Sequence, residues 1–267
     1  MLRILFFLIF FVFRGLSQES IGARAFAVKS FVAVANDVWA VFYNPAGIAD
    51  LKSREISFSY IPAQFGLTQL SIKGAVYYEP SLPVKFGIGI KSFGFELYRE
   101  NMLKISIAQG FDAFNLGLSL NYTFISIKNY GSAGAFSGDF GFVSKPVKFL
   151  RFGFVVKNLI SSRIGKAQEK LPKEIDLGIA LMPYSNLIVS MGVYKELTFR
   201  ECVRYGVEYN IVDFVSVRFG LSNYPVRYSG GVGIKLSRFQ LDYGVDNHQL
   251  LGFTHQITLT AKLGGGE

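Results

Sequence analysis

Cysteine is almost absent from this sequence, since Cys202 is the only one in 267 residues. No disulfide can therefore form within the chain, and a small scaffold held together by disulfides is excluded. Histidine occurs only twice, as His248 and His255, and neither lies near Cys202 in sequence, so we predict no metal site and no cofactor. No serine can be argued to pair with either histidine, which predicts that the chain is not an enzyme.

Charged residues are scarce as well. They make up 18% of the chain, whereas 50% is hydrophobic and 27 Phe, 14 Tyr and 28 Gly are present. A soluble domain of this size rarely combines so many aromatic residues with so few charges. The chain also lacks a run long enough for a membrane-spanning helix, which needs about 20 apolar residues. Its longest uncharged stretch, 177–194, is interrupted by Met182-Pro-Tyr-Ser-Asn, which is typical of a turn between two strands.

Residues 1–17 have the features of a secretory signal peptide. Arg3 precedes an unbroken apolar run over 4–13, and the small residues Gly15 and Ser17 follow, which predicts cleavage after Ser17. The alternative, a retained N-terminal anchor, is disfavoured because the apolar run is too short to span a bilayer. An exported chain meets no nucleic acid, so the net charge of +9 does not indicate a nucleic-acid partner.

The rest of the chain, 53–263, alternates large apolar residues with small or polar ones. An apolar exported protein without a spanning helix can cross a bilayer as a closed β-barrel, because closure pairs every backbone group. Barrel strands are segments of about 10 residues that alternate in this way. Fourteen such segments occur: 56–60, 70–73, 86–91, 103–108, 116–124, 139–143, 152–157, 175–181, 187–193, 203–209, 215–222, 230–236, 239–245 and 257–263. We therefore predict an all-β, transmembrane antiparallel barrel of about 14 strands, surrounded by the lipids of a bacterial outer membrane.

One register of these segments is apolar, and the other is rich in glycine and charge. The second contains Gly87, Gly89, Gly117, Gly153, Gly178, Gly192, Gly206, Gly220, Gly231, Gly233 and Gly244, together with Lys73, Lys91, Lys104, Lys157, Arg204, Arg218, Lys235, Lys262, Asp139, Asp176, Glu208 and Asp242. A Lys or Arg facing lipid near the midplane costs about 2–4 kcal/mol, so this register is predicted to face the lumen. The alternative, a soluble β-sandwich or lipocalin-like barrel, would bury the apolar register instead.

Residues 18–52 are predicted to form a hatch inside the barrel. Glycine on one side of a strand indicates that something approaches the backbone closely there, and this N-terminal segment of small residues is the candidate. Its charged residues Arg24, Lys29, Asp37 and Asp50 are expected to form ion pairs with the lumen charges, whereas an anion-selective path is the alternative use of those charges.

The sequence around Pro45 gives the candidate site. Asn36 or Asp37 can cap a short helix over 38–43, and the helix should stop at Asn44 because the residue before proline is disfavoured in helical geometry. Asn44, Pro45, Ala46 and Gly47 then form a tight turn. This turn is either a simple connection or an element that gates the lumen or contacts a ligand.

Three stretches carry a resemblance to a known family. They are Gly22-Ala-Arg-Ala with Phe31-Val-Ala-Val-Ala-Asn-Asp and Phe42-Tyr-Asn-Pro-Ala-Gly-Ile-Ala; Val155-Val-Lys-Asn-Leu with Leu171-Pro-Lys-Glu-Ile-Asp-Leu-Gly-Ile-Ala; and Leu241-Asp-Tyr-Gly-Val through Leu251-Gly-Phe-Thr-His-Gln-Ile-Thr-Leu. In them the chain resembles the PorV/PorQ-like outer-membrane proteins, relatives of the FadL-type transporters. The resemblance implies a 14-stranded barrel, and either an accessory role in protein secretion and surface attachment or passage of hydrophobic small molecules.

The lumen register decides between these two roles at the level of sequence. A wide channel for lipids would need large apolar residues there, and the register contains glycine, serine and mixed charge instead. We therefore expect a plugged barrel that assists protein secretion or surface assembly, with secretion machinery or exported proteins as partners. A FadL-like channel for lipophilic small molecules is the alternative. The longest predicted loops, 161–170 and 128–137, contain no recognisable binding motif.

Overall fold

The computed structural model describes residues 21–160, 163–164 and 169–264. The predicted signal peptide, residues 1–17, lies outside them, as do residues 18–20 of the predicted hatch. Fourteen of the strands in the described residues close into one antiparallel barrel, and two form a separate hairpin. No helix in this part of the chain is long and apolar enough to cross a membrane.

The barrel strands follow one another in chain order. They are β1 (Arg54–Ile61), β2 (Ile72–Glu79), β3 (Lys85–Gly94), β4 (Tyr98–Gly110), β5 (Phe114–Ile127), β6 (Gly131–Val147), β7 (Leu150–Lys157), β10 (Glu174–Tyr184), β11 (Leu187–Glu196), β12 (Cys202–Val212), β13 (Val215–Asn223), β14 (Val226–Leu236), β15 (Phe239–His248) and β16 (Gly252–Leu263). The separate hairpin is β8 (Arg163–Ile164) with β9 (Glu169–Lys170). The helical elements are α1 (Ala23–Val28), α2 (Ala40–Tyr43) and two 3₁₀ helices, η1 (Pro45–Asp50) and η2 (Thr68–Leu70).

Pairing of the first strand with the last closes the barrel. β1 pairs with β16 from Arg54 opposite Leu263 to Tyr60 opposite Ile257. Paired residues, followed once around the barrel from Glu55, lead back to β1 about 14 residues further along, which is the shear of the barrel. Equal strand number and shear tilt the strands by roughly 37° and give a radius of about 12 Å. The predicted barrel of 14 strands is confirmed.

The outer wall is apolar from end to end. Large side chains of the predicted apolar register, such as Phe58, Leu118, Phe219 and Leu259, point outward and are about half exposed. The small and charged register points inward, where Ser57, Ser119, Asp139 and Arg218 are buried. A soluble barrel would have the opposite arrangement, so this wall fits a bilayer. 

The two ends of the barrel differ in their connections. Short turns (80–84, 111–113, 148–149, 185–186, 213–214 and 237–238) lie at the end where β1 begins and β16 ends, which we name the turn end. The longer connections 62–71 and 158–173 lie at the opposite end, the loop end. In outer-membrane barrels short turns face the periplasm and longer loops the exterior, so the turn end is assigned to the periplasm.

The structure corrects the predicted register of β2. Ile72, expected to face lipid, is buried in the lumen, and Lys73, expected in the lumen, is exposed on the outer wall. The reason is that residues 68–70 form the 3₁₀ helix η2, so the strand begins only at Ile72 and the inward positions are Ile72, Gly74, Val76 and Tyr78. The Lys73 ammonium lies 5.7 Å from the centre of the Tyr60 ring, near the loop end, from where it can reach the lipid headgroups.

The predicted loop 128–137 is also largely strand. β6 begins at Gly131 and pairs with β5 along its whole length down to Ser144, whereas its pairing with β7 starts only at Phe140. Gly, Ser and Ala fill this upper part of β6, which conceals the alternation that identifies a strand. The hairpin of β5 and β6 therefore extends beyond β7 at the loop end. The other predicted loop, 161–170, contains the small hairpin β8 and β9 and lies partly outside the described residues.

Candidate functional site

The hatch fills the middle of the barrel, as the sequence predicts. Its described residues begin at Ile21, and the chain first follows the inner wall from β15 to β7. It then crosses the lumen, forms α2 beside β3 and β4, and turns into η1 against β4, β5 and β6. The result is a disc of polypeptide that touches the wall on all sides.

Glycines make this close approach feasible. At twelve lumen glycines a side chain would bring its Cβ within 3.0 Å of a hatch atom: Gly74, Gly87, Gly89, Gly117, Gly141, Gly153, Gly178, Gly192, Gly206, Gly220, Gly231 and Gly244. They lie on eleven of the fourteen barrel strands, mostly near the strand centre. At Gly153 and Gly206 the nearest hatch atoms are backbone carbonyl oxygens, of Val32 and Val28. Backbone therefore packs on backbone, and the one-sided glycine pattern is explained.

Arg24 ties the hatch to the wall on the turn-end side of the disc. Its guanidinium donates to Glu208, with Nε 2.7 Å from the carboxylate, and also contacts Asp37 at 3.1 Å. Glu208 is shared with Arg218 at 2.8 Å, and Arg218 in turn contacts Asp242 at 2.6 Å. We name these five residues the Arg24 cluster. Each charge in it has an opposite partner, which is what partly buried charges require.

Two further hatch residues, Lys29 and Asp50, form ion pairs with the wall. Lys29 lies 2.7 Å from Asp246, which also binds Arg227, on the loop-end side of the disc. On the opposite wall Asp50 contacts Lys145 at 2.6 Å and Arg151 at 3.3 Å. The predicted ion pairs with lumen charges are thus present for Arg24, Lys29 and Asp50, whereas Asp37 pairs within the hatch, with Arg24.

The predicted site residues Asn44, Pro45, Ala46 and Gly47 lie together at the edge of the disc, where it meets β5 and β6. The buried Asn44 amide donates from Nδ2 to Val32 O at 3.0 Å and to Phe142 O at 3.1 Å, while its Oδ1 accepts from Ala46 N. Asn44 therefore joins two parts of the hatch to β6. Whether these four residues also gate the lumen or contact a ligand stays a prediction.

The local structure around this turn follows the sequence closely. Asp37 Oδ1 accepts from Trp39 N at 2.9 Å and so caps the turn before α2, which begins at Ala40 rather than at Val38. The helix ends at Tyr43, and Asn44 has extended geometry, as expected for a residue before proline. Pro45 then starts η1, whose first turn contains Ala46 and Gly47. 

Sequence reasoning missed an apolar cluster at the loop end of the lumen. Buried side chains of β1 to β3 and of the connection 62–71 meet the start of the hatch here: Ile21, Ile61, Leu70, Ile72 and Phe93, which we name the loop-end apolar cluster. The misassigned register of β2 hid it. Gly74 was the available signal, because a lumen glycine marks Ile72 and Val76 as inward-facing too.

A cavity of about 520 Å³ lies beneath the disc at the turn end. The Arg24 cluster and Trp39 form its inner end, and Thr258 and Thr260 form part of its side wall. Its mouth is lined by Lys148, Lys235 and Lys262. On the other side of the lumen η1 occupies the corresponding space, so most of the cavity lies on the side of β10 to β16, with Glu55 of β1 and Lys148 of the β6–β7 turn at its margin.

The remaining candidate residues lie away from residues 44–47 and from the turn-end cavity. His248 ends β15 and its Nδ1 accepts from the backbone of Leu250, while His255 faces outward and contacts the Tyr243 hydroxyl at 2.7 Å. Cys202 is a buried free thiol at the start of β12. Among the described residues no group of His, Cys, Asp and Glu could hold a metal ion.

Comparison with known proteins gives structural likeness only. No protein-family profile and no curated protein sequence matches the chain. The toluene transporter TbuX of Ralstonia pickettii is 13% identical with a TM-score of 0.66, over 92% of this chain and 99% of that one. The toluene transporter TodX of P. putida is 10% identical with a TM-score of 0.67, over 93% and 100%. A FadL homologue of Pseudomonas aeruginosa is 14% identical with a TM-score of 0.57, over 90% and 97%.

These matches define the fold of the whole described chain. It is the closed barrel with an N-terminal inner segment that FadL-like outer-membrane transporters have, which agrees with the predicted outer-membrane location. The finer resemblance to PorV/PorQ-like proteins finds no support in them and stays a prediction.

Proposed function

We propose that the chain is an outer-membrane channel for small apolar molecules, and that its hatch is the gate. The likeness to TbuX and TodX, whose own names describe toluene transport, extends over nearly the full length of both chains. A similar fold does not identify the substrate, so the proposal depends on the residues that line the lumen.

The loop-end apolar cluster carries the proposal. Ile61, Ile72 and Phe93 are at most 2% exposed and form a closed apolar layer at the loop end of the lumen, packed in one cluster with Ile21 of the hatch. An apolar solute gains about 25 cal/mol per Å² of surface that it withdraws from water, so this layer is the part of the lumen that would accept one when the hatch moves. The cluster ends against Ile21 of the hatch.

Trp39 lies between this cluster and the turn-end cavity. It packs within the same apolar core as Ile21, stacks on Phe42 with ring centres 6.1 Å apart, and also lines the cavity. Its Nε1 donates to Ser57 on β1 at 2.9 Å, which fixes the ring. A shift of Trp39 with the adjoining hatch would connect the apolar layer with the periplasmic cavity.

A reversible disulfide lock tests whether the hatch gates transport. The lock uses a background of Cys202→Ser with Val32→Ala, which removes the Val32 Cγ1 that a Cβ at position 178 would meet at 2.5 Å. In it, Ala33→Cys with Gly178→Cys joins the hatch to β10, because the two Cβ positions are 3.4 Å apart, close to disulfide geometry. Cells that lack other channels of this fold should take up labelled toluene through the reduced protein. Oxidation should lower the initial rate at least fivefold, and a reductant should restore it.

A second lock is the matched control. Ala49→Cys with Gly110→Cys, 3.6 Å apart between Cβ positions, joins η1 to β4 on the side without the cavity and should leave uptake nearly unchanged. Uptake that is no faster than in cells without the protein would refute the channel. Unchanged uptake with a fully oxidised first lock would refute the gate.

An accessory role in protein secretion or surface assembly, the role expected from the sequence, is the second candidate. One observation favours it: the disc touches the wall on all sides, so the closed form offers no open path. Native mass spectrometry of the protein from its own membrane separates the two candidates. Stoichiometric secretion components or surface proteins would support the accessory role, and bound lipophilic molecules without a protein would support transport.

A further inference from the structure

The turn-end cavity has an uneven distribution of charge. At its inner end the Arg24 cluster contains two arginines and three carboxylates, a formal charge of −1, and Arg24 and Arg218 each contact carboxylates within 3.1 Å. Its mouth is different. Lys148 and Lys235 are exposed there, and within the described residues neither forms an ion pair. Lys262 reaches Glu55 only at 3.8 Å.

The acidic groups beside the mouth offset this charge only in part. Glu55, the one carboxylate that lines the mouth, is 6% exposed and is already engaged by Lys262 and by the Ser53 hydroxyl. Asp213 lies on the neighbouring turn and lines a shallow depression that it shares with Lys235, but their charged atoms are not within ion-pair distance. The mouth of the cavity therefore has an excess of positive charge.

We propose that the turn-end cavity is a binding site for a small molecule that carries an oxyanion group, a carboxylate or a phosphate. Low-dielectric walls focus the field of Lys148, Lys235 and Lys262 into the cavity and raise the local concentration of anions. Asn210 and Gln240 line the cavity beside them and add polar side chains that can hydrogen bond to the ligand. A volume of about 520 Å³ is suited to a metabolite-sized ligand.

The site is reached from the periplasm and is independent of apolar transport. Its failure would leave the proposed channel intact, and failure of the channel would leave the site intact. The free phosphate ion and the carboxylate of a small organic acid are the two sources of the same chemistry, and the experiment distinguishes them.

Trp39 provides the measurement, because it is the only tryptophan in the chain and it lines the cavity. The full-length mature protein in detergent is titrated at fixed ionic strength with inorganic phosphate, benzoate and, as the neutral analogue of benzoate, benzyl alcohol. We expect a saturable change in Trp39 emission with at least one of the two anions. Saturation by phosphate alone identifies a phosphate site, and saturation by benzoate alone identifies a site for organic acids.

Variants of the mouth test the recognition. Lys148→Gln with Lys235→Gln should weaken binding about tenfold, which corresponds to roughly 1.4 kcal/mol. Lys73→Gln, which removes an exposed lysine from the outer wall, is the matched control and should leave the dissociation constant unchanged. Both substituted lysines are exposed, so folding should be preserved, and the heat-dependent gel mobility of the barrel verifies it.

Three results would overturn the proposal. They are the absence of a saturable response to both anions, an equal response to benzyl alcohol, and unchanged affinity in the double variant. The last two would mean that apolar contacts with the cavity wall, rather than the lysines, hold the ligand.

Discussion

The two sides of the lumen hold the hatch in different ways. On the side of β2 to β6, which we name the filled half, η1 occupies the lumen as far as the turn end and Asp50 binds Lys145 and Arg151. On the side of β10 to β16, the cavity half, a stretch of hatch lies against glycines and leaves a cavity of about 520 Å³ beneath it. The hatch is therefore thick in the filled half and thin in the cavity half. We expect motion in the cavity half, since fewer packed groups must move there.

A side chain added in the filled half should have the largest effect. Gly117→Val would place its Cβ against the backbone of Pro45 and Ala46. This backbone belongs to η1, which packs against β4, β5 and β6 and has no cavity to move into. We expect a loss of about 3 kcal/mol or more in the free energy of unfolding, the upper range for overpacking. Gly138→Val is the matched control, because a Cβ there meets nothing closer than 3.6 Å. Denaturant unfolding of both variants measures the difference, and equal losses would contradict the description of the filled half.

The same change in the cavity half should cost less and open the barrel more. Gly206→Val would collide with the backbone of Val28, but the hatch here can yield into the cavity. We expect about 1–2 kcal/mol of destabilisation and frequent channel openings in planar bilayers. The control is Gly230→Val, whose Cβ would have only Arg218 O nearby, at 3.7 Å. If Gly206→Val lost as much stability as Gly117→Val and the channel stayed closed, the two halves of the hatch would not differ.

Loss of the Arg24 ion pairs should act on the gate more than on stability. Arg24→Gln leaves Glu208 paired with Arg218. Asp37 loses its ion-pair partner, but it is only partly buried and keeps the hydrogen bond from Trp39 N. We expect about 1 kcal/mol of destabilisation and more openings than in Asp50→Asn, the corresponding change in the filled half. Single-channel recordings of both variants make the comparison. More openings in Asp50→Asn would show that the filled half is the mobile one.

The smallest effect is expected on the outer wall. Lys73→Gln removes a lysine that touches no part of the hatch, so the free energy of unfolding should change by less than about 0.5 kcal/mol and the channel should behave as the wild type. Denaturant unfolding and bilayer recordings check both quantities. A large change in either quantity would indicate that the Lys73 side chain lies in the lumen, as the sequence predicts.

Much of the architecture can be predicted from the sequence because the alternation of a barrel strand is local. Each strand shows its lipid-facing side in its own residues, and one-sided glycines indicate that the lumen is occupied. β2 is the exception, since η2 delays its start and places Ile72 in the lumen. The upper part of β6 is the other, because Gly, Ser and Ala conceal its alternation.

The contacts of the candidate site depend on distant parts of the chain. Asn44 could be identified as the end of a helix, but its bond to Phe142 O joins residues 98 positions apart and follows only from the closed barrel. The turn-end cavity is likewise formed by strand ends from half of the wall and by the underside of the hatch. No short segment of sequence contains a signal for either feature.

The seam between β1 and β16 has a consequence for biogenesis. Trp39 donates to Ser57 on the first strand, and the backbone nitrogen of Ala23 donates to Thr258 on the last, at 2.8 Å. Ser57 and Thr260 also meet across the seam at 2.7 Å. A disc that touches the wall on all sides cannot be threaded into a finished barrel. The hatch must therefore already lie inside the sheet when the barrel closes, where it contacts both the first and the last strand.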